Sequence, residues 1–168
     1  METVPYDKRS GKIWFNGELI NWTNAKLHVL NHGLHYASCV FEGERVYDGE
    51  IFKLEEHTDR LFYSAKRMGI VIPYSPKEIN TASKEIVTAQ KIKDGYVRPI
   101  IWRGSEMMAI SAQKNKIHVA IASWEWGSYF DPNLKLKGIK LNISSWRRPA
   151  PNSVPWDTKA AGLYMICT

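Results

Sequence analysis

The sequence predicts an α+β fold from three observations: two tight-turn dipeptides set between strand-like runs, two adjacent segments of helical periodicity, and further strand-like runs after them. A doubly wound fold would alternate strand and helix along the chain. Here hairpins, helices and strands come in blocks.

Lys12-Ile13-Trp14-Phe15 and Glu18-Leu19-Ile20 flank Asn16-Gly17, residues that tolerate the positive φ of a tight turn, so a first hairpin is predicted. Val40-Phe41, Arg45-Val46-Tyr47 and Ile51-Phe52 surround Asp48-Gly49 and predict a second hairpin between Val40 and Lys53. Leu54, Leu61, Ala65 and Met68 then fall on one helical face, with Glu55, Glu56, Asp59 and Arg67 elsewhere on the surface. Ser75-Pro76-Lys77-Glu78 supplies a capping hydroxyl, a proline at the first helical position and a glutamate three residues after the cap. Ile79, Ala82, Ile86 and Ala89 continue that helix as one stripe to about Lys93, before Gly95. Tyr96 to Trp102, Ile117 to Trp124 and Ile139 to Trp146 read as strands. Between the last two, the segment from Gly127 that contains Asp131-Pro132-Asn133 reads as an interdomain linker. The final run, Ala160 to Thr168, opens like an apolar helix but reaches no cap, glycine or charged last turn, which predicts a fragment of a longer chain.

Composition narrows the class. With 168 residues, 44% hydrophobic and 24% charged, the chain is long enough for one ordinary domain with a real core, or for one domain plus part of another. The net charge of +6 favours anionic partners of any kind, and the basic residues are scattered except for Arg147-Arg148. A nonenzymatic basic module is the alternative from a different class, but no phosphate-tracking stripe supports a nucleic-acid partner. Cys39 and Cys167 lie far apart in apolar settings, without metal-site spacing, and are expected to be reduced core thiols. No signal-peptide core or membrane-spanning run is visible, so a cytoplasmic protein with no membrane partner is expected.

Five motifs occur in order. Leu34-His35-Tyr36 with Val40-Phe41-Glu42-Gly43-Glu44-Arg45 comes first, then Glu56-His57-Thr58-Asp59-Arg60-Leu61 and Tyr96-Val97-Arg98-Pro99. Trp126-Gly127-Ser128-Tyr129 follows, and the last runs from Ser145-Trp146-Arg147-Arg148 through Pro151-Asn152 to Lys159-Ala160-Ala161-Gly162-Leu163-Tyr164. Together they resemble the fold-type IV pyridoxal 5'-phosphate (PLP) enzymes, and the Tyr96 and Trp126 motifs resemble the branched-chain amino acid aminotransferases in particular. The resemblance implies a small two-layer α/β domain at 1–126, a linker at 127–137, and at 138–168 the truncated start of a larger barrel-like domain that binds PLP. It implies transamination of leucine, isoleucine and valine with 2-oxoglutarate, small amino acid and 2-oxo acid partners, and a homo-oligomer of two or more subunits. A D-amino acid aminotransferase or an aminodeoxychorismate lyase of the same fold is the nearest alternative.

By the same resemblance Lys159 is the catalytic and cofactor-bonding amine, Arg60 binds the cofactor phosphate and Tyr164 hydrogen-bonds the cofactor's phenolic oxygen. Chemistry agrees with those types: a lysine amine forms an imine with an aldehyde, and a guanidinium fork matches a phosphate dianion. Plain structural roles remain open at this point, namely an Arg60 ion pair with Glu56 one helical turn away, a core position for Tyr164 and a solvated Arg148. His57 reads as structural. The implied substrate pocket draws on Tyr36, Phe41, Gly43, Arg45, Tyr96, Arg98, Trp126 and Tyr129, where aromatic walls suit an aliphatic side chain and Arg98 suits a distal carboxylate. Strand aromatics are also common core residues. Glu44 stands where an apolar residue is common in such proteins, and its carboxylate is expected to pair with Arg45 or to point to solvent. The family's second half supplies the acidic partner of the pyridine nitrogen and more phosphate donors, so this length alone is expected to bind PLP poorly and to be inactive.

Overall fold

A computed structural model describes residues 4–127 and 136–167. β1 (Lys12–Phe15) and β2 (Glu18–Asn21) form the first hairpin, with Asn16 at φ +50 and Gly17 at φ +101 in its turn, as the dipeptide requires. β3 (Cys39–Phe41) leads to β4 (Glu44–Tyr47) and β5 (Glu50–Ile51), and the second hairpin is β4 with β5 across Asp48-Gly49. β3 is not part of it. It pairs antiparallel with β6 (Gly95–Arg103), which also pairs with β7 (Ile117–Glu125) along its whole length.

The sheet order is β2-β1-β7-β6-β4-β5, and β3 lies end to end with β4 along the same side of β6. Pro99 explains the break. In an antiparallel ladder a residue's N–H and C=O face the same neighbour, and the Pro99 carbonyl accepts Glu42 N–H at 2.9 Å. Its missing amide therefore falls opposite Glu42-Gly43, the gap between β3 and β4, where a ladder bond is not needed.

α2 (Leu54–Arg67) and α3 (Pro76–Ala89) cover one face of the sheet. The capping box forms in full: Ser75 Oγ accepts from Glu78 N–H while the Glu78 carboxylate accepts from Ser75 N–H. α3 ends at Ala89, earlier than Gly95 predicts, because Lys91 turns the chain at φ +55. Leu61, Ile79, Ile86, Val97, Ile101, Val119 and Ile121 are fully buried between helices and sheet. Each such side chain stabilises the fold by about 1.5–3 kcal/mol relative to exposure. The other face carries a second cluster that includes Ile13, Trp22, Cys39, Trp102 and Ala120. α1 (His32–Tyr36) is too short to leave a periodic signature in the sequence, and Asn31 caps it by accepting from Gly33 N–H.

Three expectations are corrected. Ile139 to Trp146 forms no strand; Leu141 and Ile143 are 86% and 94% exposed, because no neighbouring strand stands beside them to complete a ladder. Ala161–Cys167 is a 3-10 helix rather than the first turns of an α-helix. Cys39 is a core thiol, pushed up to about 12 by burial against the opposing charge of Arg98, but Cys167 is exposed at the end of the 3-10 segment, whose packed residues Ala161 and Leu163 lie nearer its start. Residues 128–135 of the expected linker, with Tyr129, lie outside the described residues. Among the described residues no helix is long and apolar enough to cross a membrane.

Candidate active site

Lys159 is held by its backbone from both sides. Its N–H donates to Ser64 Oγ of α2 at 3.0 Å, and its carbonyl accepts from Phe41 N–H of β3 at 3.2 Å. Ala160 adds an antiparallel bridge to Val40. The backbone of Lys159 is thereby held between α2 and β3. Lys159 Nζ donates to the Tyr164 hydroxyl at 2.8 Å and lies 4.9 Å from the centre of the Phe41 ring. The side chain is partly rather than wholly buried. Lys159 and Tyr164 line a hollow of about 570 Å3 together with Arg60, Arg148, Trp156, Asp157 and Thr158. The amine and the guanidinium singled out in the sequence therefore face one space.

Arg60 does not pair with Glu56, which bonds Lys53 instead. Its Nε and Nη2 donate to the two oxygens of Glu42 at 2.6 and 2.7 Å, a bidentate fork that leaves Nη1 for another acceptor. His57 Nδ1 also bonds Glu42, at 2.8 Å, so the structural role read for His57 is to help hold this carboxylate. Glu42 is fully buried. Burial opposes its ionisation, but the hydrogen bonds and charges of Arg60 and His57 together outweigh that cost and hold the carboxyl at about 2. Sequence reasoning passed over Glu42 because a lone glutamate between two strands gives no hint of a partner eighteen residues on.

Glu44 contradicts the expectation of an Arg45 pair or a solvent-facing carboxylate. β4 turns it to the helix side with Val46, where it is 1% exposed, and its Oε2 has no hydrogen-bond partner among the described residues. Burial, reinforced by the charge of Glu42, pushes its carboxyl up to about 8. Alternation is the reason: Glu44 and Val46 share a face, and Arg45 points to the other.

The open sheet face supplies a wall beside Lys159. The Phe41 ring meets Tyr164 at 4.9 Å and carries the Arg98 guanidinium 4.7 Å from its centre. Arg98 Nη2 donates to the Tyr96 hydroxyl at 3.2 Å, and its buried Nε has no hydrogen-bond partner among the described residues. Tyr96 packs on Trp126 at 4.7 Å, and Arg45 Nη1 donates to the Trp126 carbonyl at 2.9 Å. Gly43 is required here, since a Cβ on it would lie 1.7 Å from the Tyr96 hydroxyl. Arg98 also borders an apolar hollow of about 370 Å3 whose lining includes Phe15, Cys39, Ile100 and Trp102. Phe41, Gly43, Arg45, Tyr96, Arg98 and Trp126 thus form one connected set. Tyr36 stands apart from them, its ring against His32 and its hydroxyl on the Met108 carbonyl. Arg148 borders the Lys159 hollow and donates to the Trp156 carbonyl at 3.0 Å.

The chain is similar to the branched-chain-amino-acid aminotransferase of Pseudomonas aeruginosa, 44% identical over 161 residues that make up 94% of this chain and 52% of that protein. Among solved structures it resembles the branched-chain aminotransferase of the thermophilic archaeon Thermoproteus uzoniensis with norvaline, at a TM-score of 0.86 and 34% identity over 94% of this chain and 54% of that one. The T.th. branched-chain amino acid aminotransferase with pyridoxamine 5'-phosphate matches at a TM-score of 0.88 and 37% identity, over 94% of this chain and 53% of that one. The chain spans about half the length of the curated relatives it matches. The family model for amino-transferase class IV matches residues 39–167, from β3 through the Lys159 hollow, and the chain belongs to that family.

Proposed function

We propose that the protein transfers amino groups between branched-chain L-amino acids (leucine, isoleucine and valine) and 2-oxoglutarate, with PLP as its cofactor. The observation that carries this reading is the backbone-clamped Lys159, its amine on Tyr164, facing a hollow that Arg60 also lines. PLP fits these donors: an amine for its aldehyde, a hydroxyl beside that amine, and a guanidinium whose Nη1 is not engaged by Glu42 for its phosphate. When bound, PLP supplies an aldehyde that condenses with amines and an electron sink for the bonds at the substrate α-carbon.

The chain's own residues do the rest. Lys159 Nζ would be the amine that holds PLP's aldehyde carbon, and the same amine would move the proton at the substrate α-carbon. Tyr164 fixes where that amine waits. Arg60, from α2, would hold the phosphate through Nη1, while Glu42 anchors its Nε and Nη2. Phe41, Gly43, Arg45, Tyr96 and Trp126 shape the substrate side; the family resemblance adds Tyr36 and Tyr129 to the proposal, without a contact to that set for Tyr36 among the described residues. The Arg98 guanidinium, lying over the Phe41 ring and bordering the apolar hollow, supports a carboxylate site at the wall, where an aliphatic substrate and a dicarboxylic one can alternate. The names of the relatives support the branched-chain assignment over a D-amino acid aminotransferase or an aminodeoxychorismate lyase.

Residues 1–126 are proposed as a small domain, 127–137 as a linker and 138–168 as the start of the larger, cofactor-binding one. The exposed Leu141, Ile143 and Trp146 support that division, since apolar residues exposed close together mark a surface that packs against another element. The exposed run Leu27, Val29, Leu30 and Leu34 supports a homo-oligomer. Steady-state rates on the intact protein test the function. Leucine, isoleucine and valine with 2-oxoglutarate should be preferred to D-alanine and aminodeoxychorismate, and Lys159→Ala should abolish turnover with the fold retained. Preference for D-alanine, or turnover without Lys159, contradicts the proposal.

A further inference from the structure

The segment that brings Lys159 to the hollow runs along α2 and is joined to it at two levels. The inner join is the bond from Lys159 N–H to the fully buried Ser64. The outer join is a clasp on Asp157: the Tyr63 hydroxyl donates to its Oδ2, and Arg67 Nε stands 3.5 Å from its Oδ1. Arg60, Tyr63, Ser64 and Arg67 sit three, one and three residues apart, so they share one helical face. That face carries both the guanidinium of the hollow and the groups that fasten the lysine's segment.

The β3 contacts of Lys159 and Ala160 hold the segment on one side; towards α2 a single hydrogen bond would still let it rotate about that strand, and the Asp157 clasp two residues away removes that freedom. Thr158 between them is buried and closes a turn on the Pro155 carbonyl at 2.7 Å, which makes the segment stiff enough to transmit the constraint. We propose that Asp157 is a positioning residue: clasped by Tyr63 and Arg67, it sets the placement of Lys159 Nζ relative to Tyr164 and Arg60. The inference rests on reading Lys159 as the cofactor-bonding amine. The Tyr63 hydrogen bond, with further help from Arg67, holds the Asp157 carboxyl below its ordinary value, so the clasp persists across neutral pH. Because Tyr63 and Arg67 are about half exposed, the clasp contributes little to global stability, and its effect on placement can be separated from unfolding.

The test uses the intact protein loaded with PLP and the variants Asp157→Ala, Asp157→Asn, Tyr63→Phe and the double variant Tyr63→Phe with Asp157→Ala. Three readouts are taken: the thermal midpoint, kcat and KM for leucine, and the pH midpoint of the visible absorbance of the loaded protein, which responds to the surroundings of the lysine. Asp157→Ala and Tyr63→Phe are each expected to lower kcat about tenfold and to move the absorbance midpoint, with KM and thermal midpoint nearly unchanged. Asp157→Asn keeps the acceptor for Tyr63 and should recover most of the loss. The double variant should be no worse than the poorer single one. Asp157→Ala with wild-type kcat and an unmoved midpoint overturns the inference, as does a strictly additive double variant or a loss that only tracks unfolding. Wild-type protein that shows no visible band with PLP would instead overturn the site reading itself, and this inference with it.

Discussion

Arg60 meets Glu42 through two nitrogens, and this pairing governs what its substitution can report. Arg60→Ala leaves the buried Glu42 carboxylate with His57 as its remaining ionisable partner, for which at most about 3 kcal/mol of destabilisation is expected because Arg60 is half exposed. Arg60→Lys separates the roles, since it keeps a cation beside Glu42 and gives up the fork. Equilibrium dialysis should show PLP affinity weakened about tenfold or more by Arg60→Lys, with affinity for pyridoxal, which lacks the phosphate, unchanged. Equal losses for both ligands would count against a phosphate role. Glu44 gives a prediction of opposite character. Its carboxyl is near 8 in the folded chain and near the ordinary value of 4.5 when unfolded, so the stability present below about 4.5 is lost as pH rises towards 8. Glu44→Leu should therefore raise the urea midpoint more at pH 9 than at pH 5, and an equal gain at both would contradict the buried, neutral acid. Neither Glu42 nor Glu44 was legible in the sequence, because burial of a carboxylate depends on partners from α2 and on strand alternation.

Elements whose chemistry is local were legible. The Asn16-Gly17 and Asp48-Gly49 turns and the Ser75-Glu78 capping box each need only neighbouring residues, and each forms. Ser75→Ala should lower stability by about 1 kcal/mol in chemical denaturation, through loss of the bond to Glu78 N–H. No change would mean that α3 is held by packing alone. Elements that depend on distant partners were not legible. β3 was read into a hairpin with its sequence neighbours, yet its partner is β6, some sixty residues on. Ile139 to Trp146 has strand composition but no ladder, which shows that composition describes a half-buried surface rather than the backbone by itself.

At the scale of the molecule, the sheet, with Pro99 at its β3/β4 break, and α2 converge on one segment, Asp157 to Ala160. Much of the candidate site was legible through ordered motifs: Lys159, Arg60 and Tyr164 line one hollow, and six of the eight residues named for the substrate side form a connected wall. Tyr36 stands apart because α1 turns it towards Met108. What the sequence could not supply was the frame, since Ser64, Asp157 and Glu42 act through contacts between segments far apart in the chain. That Lys159 is the amine that bonds PLP is tested most directly by incubating the intact protein with PLP, reducing with borohydride and mapping the labelled peptide by mass spectrometry. A phosphopyridoxyl group on Lys159 alone is the predicted result; a label spread over surface lysines, or on any lysine but Lys159, would contradict it.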